Sequence, residues 1–535
     1  MAQGYDKSNY RSGFWALIAT QAQGAFSDNL FRWIIVYLLL GTTATATIES
    51  SGKITALAGM LFALPFFLFV GIFGAISDRY SKQRVIVALK HTEILIMVAG
   101  GLALLTQNAA FLWVTLFLMA TQSAQFSPCK YAILPEALPE ERLSWGNGFI
   151  QATTMLAIIA GTGLAGPLFS YLNPADRVHW VSAGLVVLAI GGVIMARRIF
   201  QPPAANPNQS VPINPYAGTM EYFKIFWRDS WLGLSVLAYT YFWFLAALIQ
   251  INLVPFGYVT MGLTQTQISY MMVAVFMGIG IGSVAAGYLS RGKVEPGLVP
   301  IGALGMSVFG LLLGFPWYGL TGCIFLLFGL GFSAGFFDVP VASMIQRRSP
   351  AHLRGRAIIT ANMLTWIGIF LASALYWVLS SFEVSPYTIF LASAVISFGV
   401  GLYICIAQPV FLLRSVLWLL TNTFYRVRVV GREHIPESGG ALLVANHTSF
   451  LDALIILASM DRQVRFIMYK GIYEVPWIRP LAKMMGAIPI APGGGPREVV
   501  QSLRSATDAI KAGELVCIFA EGQITRTGQM LPFRR

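Results

Sequence analysis

The chain has 535 residues, of which 56% are hydrophobic and only 11% charged, with a net charge of +13 and a mean hydropathy of +0.67. A soluble protein carries about a quarter charged residues, so most of this chain is expected inside a bilayer. The positive balance does not imply nucleic acid, because Lys and Arg stand in short loops between apolar runs, where they set orientation.

In chain order, apolar stretches of about 20 residues fall near 13–40, 53–76, 84–106, 109–133, 145–171, 178–198, 231–257, 266–289, 297–315, 317–345, 356–380 and 385–408, which makes twelve expected spans. The first is too long for a signal sequence and no cleavage site follows it, so it is expected to be retained. One set of alternate loops carries Lys7, Arg11, Arg79, Lys82, Arg84, Arg142, Arg197, Arg198, Lys224, Arg228, Arg291, Lys293, Arg347, Arg348, Arg354 and Arg356, and the other little beyond Lys53 and Arg177. By the positive-inside rule both termini are expected in the cytoplasm. The four cysteines, Cys129, Cys323, Cys405 and Cys517, lack the spacing of a zinc or redox motif, so they read as reduced fillers and no metal site is expected.

The stretch "QPPAANPNQSVPINPY" from Gln201 to Tyr216 is too rich in Pro and Asn to be helical through its length. It opens a cytoplasmic linker, 201–230, between two six-span halves, 1–200 and 231–408. The halves are weakly alike: Gly74 in "GAISDRYSKQR" corresponds to Gly287 in "GYLSRGK", and Pro139 corresponds to Pro350 at nearly the same offset. A duplicated six-helix unit would leave such a pattern.

Gly74, Asp78, Arg79, Lys82 and Arg84, with the six-plus-six layout, resemble the major facilitator superfamily over residues 1–408. The resemblance implies a conformational latch, in which a carboxylate at a helix end pairs with basic residues of neighbouring helices until the halves rock. A short charged loop that only sets topology would look the same. Arg291 stands where a second latch would need its aspartate.

In the first span, "FSDNLFR" places Asp28 and Arg32 four apart on one helical face, with Asn29 beside them, deep in an apolar run. Two readings stand: mutual neutralisation, or a polar pocket for a charged head group or coupling ion. Lys130, Glu93 and Asp338 are further candidates, expected near helix ends where they can snorkel. "FSDNLFR" and "SPCKYAILPE" are similar to the lysophospholipid transporter branch of the superfamily, which implies movement of lysophospholipid to the cytoplasmic leaflet. The seventh span, with "YTYFWFLAALI", has no basic residue at its middle, and its aromatics suit either an acyl-chain groove or plain packing.

After the twelfth span, 409–425 reads as a linker helix, with Phe411, Leu412, Val416, Leu419 and Leu420 at helical spacing. It suits a helix lying on the membrane or a bare connector. From 426 the pattern becomes α/β: a strand at 441–445, a helix from about 449, a strand near 464–468, a helix at 497–511 and a strand at 515–519. "PGGGPRE" lacks the lysine and hydroxyl residue of a phosphate loop and reads as a turn.

His447 in "NHTSFLD" lies just past the first strand, and Asp452 in the first turn of the next helix. A neutral imidazole there can take a proton from an alcohol while the carboxylate holds its tautomer. With "FAEG" at the later strand end, the motif resembles the glycerolipid acyltransferase (PlsC-like) family over 426–535. The resemblance implies that His447 is the general base, Asp452 its orienting partner and Glu521 part of the active site, with Gly522, Asn446 and Arg526 at the acceptor. Ala520, Gln523 and Ile524 depart from the family's third motif, and Pro492 stands where its second carries arginine. Missing arginines suit an esterified phosphate, as in lysophosphatidylethanolamine, better than lysophosphatidic acid.

The family's domain extends past the position of Arg535, so the transferase is expected to be incomplete here. The donor is expected to be the thioester of an acyl carrier protein, meeting Lys470, Arg479, Lys483 and Arg497, or acyl-CoA, with no other cofactor. The whole reads as a monomeric bacterial inner-membrane protein that brings in lysophospholipid and re-acylates it. The rivals are an exporter of another amphipathic solute with a non-catalytic tail, and a membrane-anchored acyltransferase without transport.

Overall fold

The computed structural model describes residues 11–42, 47–139, 142–211, 229–290, 297–349, 354–407, 439–449, 451–460, 462–491 and 496–525, with single residues or short pieces between some of them. The chain divides into two compact units, Met1–Val294 with Ile301–Gly399, and Glu295–Pro300 with Val400–Arg535.

Each expected span falls on a helix: α1 (Arg11–Thr42), α2 (Ile48–Leu68, resuming as Val70–Arg79), α3 (Lys82–Thr106), α4 (Ala109–Ala132), α5 (Leu143–Leu172), α6 (Trp180–Arg197), α7 (Ser230–Pro255), α8 (Gln265–Ser290), α9 (Leu298–Leu313), α10 (Leu320–Arg348), α11 (Arg354–Ser381) and α12 (Pro386–Ala407). Among the described residues ten helices are long and apolar enough to cross a membrane, and α9 is apolar but shorter. The remaining one, α1, carries Asp28, Asn29 and Arg32 within its 32 residues. Helix α2 contains Pro65 and breaks at Phe69, whose amide bonds the Pro65 carbonyl at 3.2 Å.

Lipid offers no hydrophobic drive between helices, so small residues set the contacts. Gly278 and Gly282 of α8 face Gly331 and Gly335 of α10 so closely that a Cβ at Gly331 would lie 2.2 Å from the Val275 carbonyl oxygen. A Cβ at Gly161 of α5 would lie 2.5 Å from the Phe26 carbonyl oxygen of α1. Hydrogen bonds join the halves: Tyr37 Oη lies 2.9 Å from Ser269 Oγ, which also accepts from the Gly166 amide at 3.0 Å. Phe66 and Trp366 stack between α2 and α11, 3.8 Å apart. The seventh span uses its aromatics for packing: Phe242 is buried and stacks on Phe337, and Tyr241 lies 2.9 Å from Ser397 Oγ.

The second unit holds a four-stranded parallel sheet in the order β1-β4-β2-β3, with β1 (Ala441–Ala445), β2 (Val464–Tyr469), β3 (Ile488–Ile490) and β4 (Leu515–Phe519). Parallel neighbours require crossovers, which α13 (Asp452–Ser459), α14 (Arg479–Met484) and α15 (Pro496–Lys511) supply. Leu515, Val516 and Cys517 of the central β4 are all buried, as befits a strand covered on both faces. β3 was not expected; it is three residues long, and its Pro489 is tolerated because among the described residues β3 pairs with β2 alone and so forms an edge. The expected start of α13 near 449 moves to Asp452, because the amides of residues 448 and 449 bond that residue's side chain instead of entering a helix. In the linker helix 409–425 only Leu413 and Leu417 are described, and both pack into the core formed by Leu457, Val464, Phe466, Met485, Leu515 and Cys517. The five linker residues named above for their helical spacing lie outside the described residues.

Candidate functional sites

All four strands run parallel, so their carboxyl ends share one edge, where side chains are free of the ladder. β1 delivers His447 there, and β4, its direct neighbour with Ala445 opposite Phe519, delivers Glu521. The crossover after β1 begins with Asp452, whose Oδ2 lies 3.0 Å from His447 Nδ1 and accepts from the Thr448 amide at 2.6 Å and the Ser449 amide at 2.8 Å. The His447 ring stacks on Phe519, centroids 4.1 Å apart and 17° from parallel. The Thr525 amide donates to the His447 carbonyl at 2.9 Å, tying the third-motif loop to the first.

Burial alone would raise the Asp452 carboxyl, but the bonds from Ser449, His447 and Thr448 outweigh it and hold it below its ordinary value. An ionised carboxylate only accepts, so Nδ1 carries the imidazole proton and the Nε2 lone pair is left for an incoming hydroxyl. Glu521 is buried; its Oε1 accepts from the His447 amide at 3.3 Å, while Oε2 is buried with no hydrogen-bond partner among the described residues. Gly522 follows at φ +65°, a conformation costly for other residues. Asn446 is exposed at the same edge, and Arg526 and Pro492 lie outside the described residues.

In the membrane unit Asp28 and Arg32 do not form an ion pair with each other. Asp28 Oδ2 accepts from Ser123 Oγ of α4 at 2.5 Å, while Arg32 lies over Trp33 and Phe62, at 5.0 and 5.2 Å from the ring centroids, its Nε buried without a hydrogen-bond partner among the described residues. Asn29 bonds back to the Ala25 carbonyl at 2.9 Å.

Glu93 is not near a helix end. It sits mid-way along α3, 2% exposed, with Oε2 2.7 Å from Lys90 Nζ. Gln23 of α1 completes the cluster, donating to Glu93 Oε1 at 2.7 Å and accepting from Lys90 Nζ at 2.8 Å. Lys90 and Gln23 were not singled out from the sequence. The Lys90–Glu93 spacing of three within an apolar run was a usable signal, whereas Ser123 and Gln23 arrive from other helices and gave none. Lys130 fits the expectation, close to the end of α4 with Nζ 4.9 Å from the Tyr131 ring centroid. Asp338 does not: it lies well inside α10, and its Oδ1 is buried without a hydrogen-bond partner among the described residues.

At the α2–α3 loop the ion pair runs from Lys82 to Glu136, 2.6 Å apart, with the lysine side chain buried. Among the described residues no ion pair reaches Asp78, whose carbonyl accepts from the Asn206 amide at 2.8 Å. Arg79 lies over Tyr80, Arg84 faces the Gln201 amide, and open space surrounds the Gly74 position.

A bundle of twelve helices in two halves with polar groups buried inside it is the architecture of a secondary transporter, and a parallel sheet presenting a histidine–aspartate pair at its carboxyl edge suits a transferase site. The family model described as Major Facilitator Superfamily matches residues 22–373, and the chain belongs to that superfamily. The model described as Acyltransferase matches residues 426–535, so the tail is an acyltransferase domain. Over 392 residues the chain is 29% identical to the lysophospholipid transporter LplT of Klebsiella pneumoniae subsp. pneumoniae, covering 71% of this chain and 91% of that protein. The Escherichia coli protein of the same name is 29% identical over 378 residues, covering 68% and 89%. Among solved structures, a POT family transporter superposes with a TM-score of 0.59 at 12% identity over 75% of this chain and 96% of its own. The nucleoside transporter NupG does so with 0.55 at 12% identity over 73% and 99%. These two likenesses establish the fold alone.

Proposed function

We propose that the membrane unit moves lysophospholipid, such as lysophosphatidylethanolamine, to the cytoplasmic leaflet and that the tail re-esterifies its free hydroxyl. The observation that carries this reading is the conjunction in one chain of a transporter similar to LplT over nine-tenths of that protein's length with an acyltransferase domain whose His447 and Asp452 are oriented for general-base work. His447 Nε2 takes the hydroxyl proton, the oxygen attacks the thioester carbonyl, the C–S bond breaks and the thiolate leaves, collecting the proton from the imidazolium. The oriented carboxylate stabilises that imidazolium.

Acyl carrier protein is the donor in this reading, with acyl-CoA as the alternative. The arginine-poor third motif favours an acceptor whose phosphate is already esterified. The protein acts as a monomer in the bacterial inner membrane with both termini in the cytoplasm. In the transport half, Asp28, Arg32 and Lys130 form the head-group region, and the Lys82–Glu136 pair is the latch.

The test is movement of labelled lysophosphatidylethanolamine across reconstituted vesicles by the wild type, Asp28→Asn and His447→Ala, with and without donor. Crossing that depends on Asp28 and ignores His447, with donor-dependent conversion lost in His447→Ala, is the expected result. No crossing by any folded variant would overturn the transport reading.

A further inference from the structure

The membrane unit holds one carboxylate that its own side chains leave unused. Asp338 lies well inside α10 and keeps partial exposure, yet its Oδ1 is buried without a hydrogen-bond partner among the described residues. A carboxylate at such depth is costly unless a cation or a donor meets it.

Its neighbours show where it faces. Phe337 stacks on Phe242 of α7, centroids 6.1 Å apart, which sets the next residue of α10, Asp338, level with the middle of that helix. Tyr239, nearly one turn earlier on α7, is close enough to Asp338 and to Tyr131 of α4 to interact electrostatically with each. Tyr131 belongs to the other half, so Asp338 borders the space between the halves. On the far side Lys130 Nζ lies 4.9 Å from the Tyr131 ring centroid. The helices α4 and α10 hold corresponding places, each the fourth of its half. One brings a cation and the other a carboxylate, and among the described residues no hydrogen bond occupies the Oδ1 that would join them.

A cation and an uncommitted carboxylate on opposite sides of one space complement a zwitterion, with its phosphate toward the first and its ammonium on the second. A head group without a cation would leave the carboxylate unpaired. We infer that Asp338 accepts the ammonium of the transported lipid's head group, so that the membrane unit selects lysophospholipids bearing a primary amine over those whose head group is only anionic. The inference rests on the lysophospholipid reading of the membrane unit and adds to it the residue that sets head-group choice.

The test is displacement of a lysophosphatidylethanolamine labelled on its acyl chain from the purified full chain. The competitors are unlabelled lysophosphatidylethanolamine, its N-acetyl derivative, which lacks the ammonium, and lysophosphatidylglycerol. The wild type should bind the amine-bearing lipid about 10-fold more tightly than the other two, as one charge-assisted hydrogen bond supplies. Asp338→Asn should bring that ratio close to one, and Asp338→Glu should keep most of it. Equal affinities in the wild type would overturn the inference without recourse to any variant, and so would a ratio retained in Asp338→Asn. If Asp338→Asn slows movement of all three lipids across vesicles alike and leaves the binding ratio intact, Asp338 is a gate between the halves and the inference is wrong. Failure of the folded wild type to bind the labelled lipid at all would overturn the lysophospholipid reading itself, a result distinct from binding without preference.

Discussion

The Lys90–Glu93 pair and the His447–Asp452 pair use the same elementary attraction under opposite conditions. Lys90 and Glu93 have side chains 2% exposed and, with Gln23, satisfy one another inside a helix bundle. His447 and Asp452 are 18% and 17% exposed at a sheet edge, and the imidazole keeps one nitrogen uncommitted. Inside the bundle Lys90 and Glu93 are fully paired, which offsets the desolvation of both charges. At the sheet edge a base must be only half-paired, because its remaining lone pair is what reacts. Complete pairing ties Lys90 and Glu93 to the bundle, whereas partial exposure with one uncommitted nitrogen leaves His447 able to react.

The comparison breaks most visibly at His447. His447→Ala should reduce acylation by about 10²–10⁴-fold while leaving lysolipid transport unchanged, as measured by donor-dependent conversion and vesicle uptake. A comparable loss of uptake would mean that the two activities are not separable.

Removing one partner of the buried pair, as in Lys90→Met, should cost about 3–5 kcal/mol of stability, read as a lowered Tm in detergent. The double variant Lys90→Met with Glu93→Gln should recover most of that loss. If each single variant is as stable as the wild type, the cluster is hydrated and the contrast with the tail fails.

Asp452→Asn should also lower acylation, by up to about 10⁴-fold, because a neutral amide no longer fixes the tautomer. Asp452 also sets an acid limit on the tail. Its folded value is depressed, so its contribution to stability is complete above the unfolded carboxylate value of about 3.9 and is lost as pH falls through the lower folded value. Acid unfolding of wild type and Asp452→Asn should differ above that window and converge below it.

The smallest effects concern contacts. Gly331→Val in α10 would force apart helices whose backbones touch and should cost about 1–3 kcal/mol, again read as Tm. Phe519→Leu removes the ring under His447 and should cost about 0.5–1.5 kcal/mol, with a modest fall in acylation.

Much of the architecture was legible because the bilayer imposes a length and an apolarity that a single chain shows locally. The twelve apolar stretches fall on helices whose ends lie within a few residues of those expected, ten of them long and apolar enough to cross a membrane, and β1 and β4 stand at 441–445 and 515–519. The His447–Asp452 motif was legible for a similar reason: five residues connecting a strand end to a helix start leave the two side chains little choice but to meet. β3 escaped notice because a three-residue edge strand containing Pro489 has neither the length nor the composition that signals a strand.

What only the tertiary structure decided is the choice of partners. Spacing put Asp28 and Arg32 on one helical face, yet Asp28 bonds Ser123 and Arg32 turns to Trp33 and Phe62. The α2–α3 loop offered Asp78 as the latch acid, yet Lys82 pairs with Glu136, 54 residues away. Local periodicity decides which side of an element a residue occupies, because it follows from backbone geometry. Which group meets it across the gap depends on how close neighbouring helices come, and that follows from the glycines and aromatics on every helix at once.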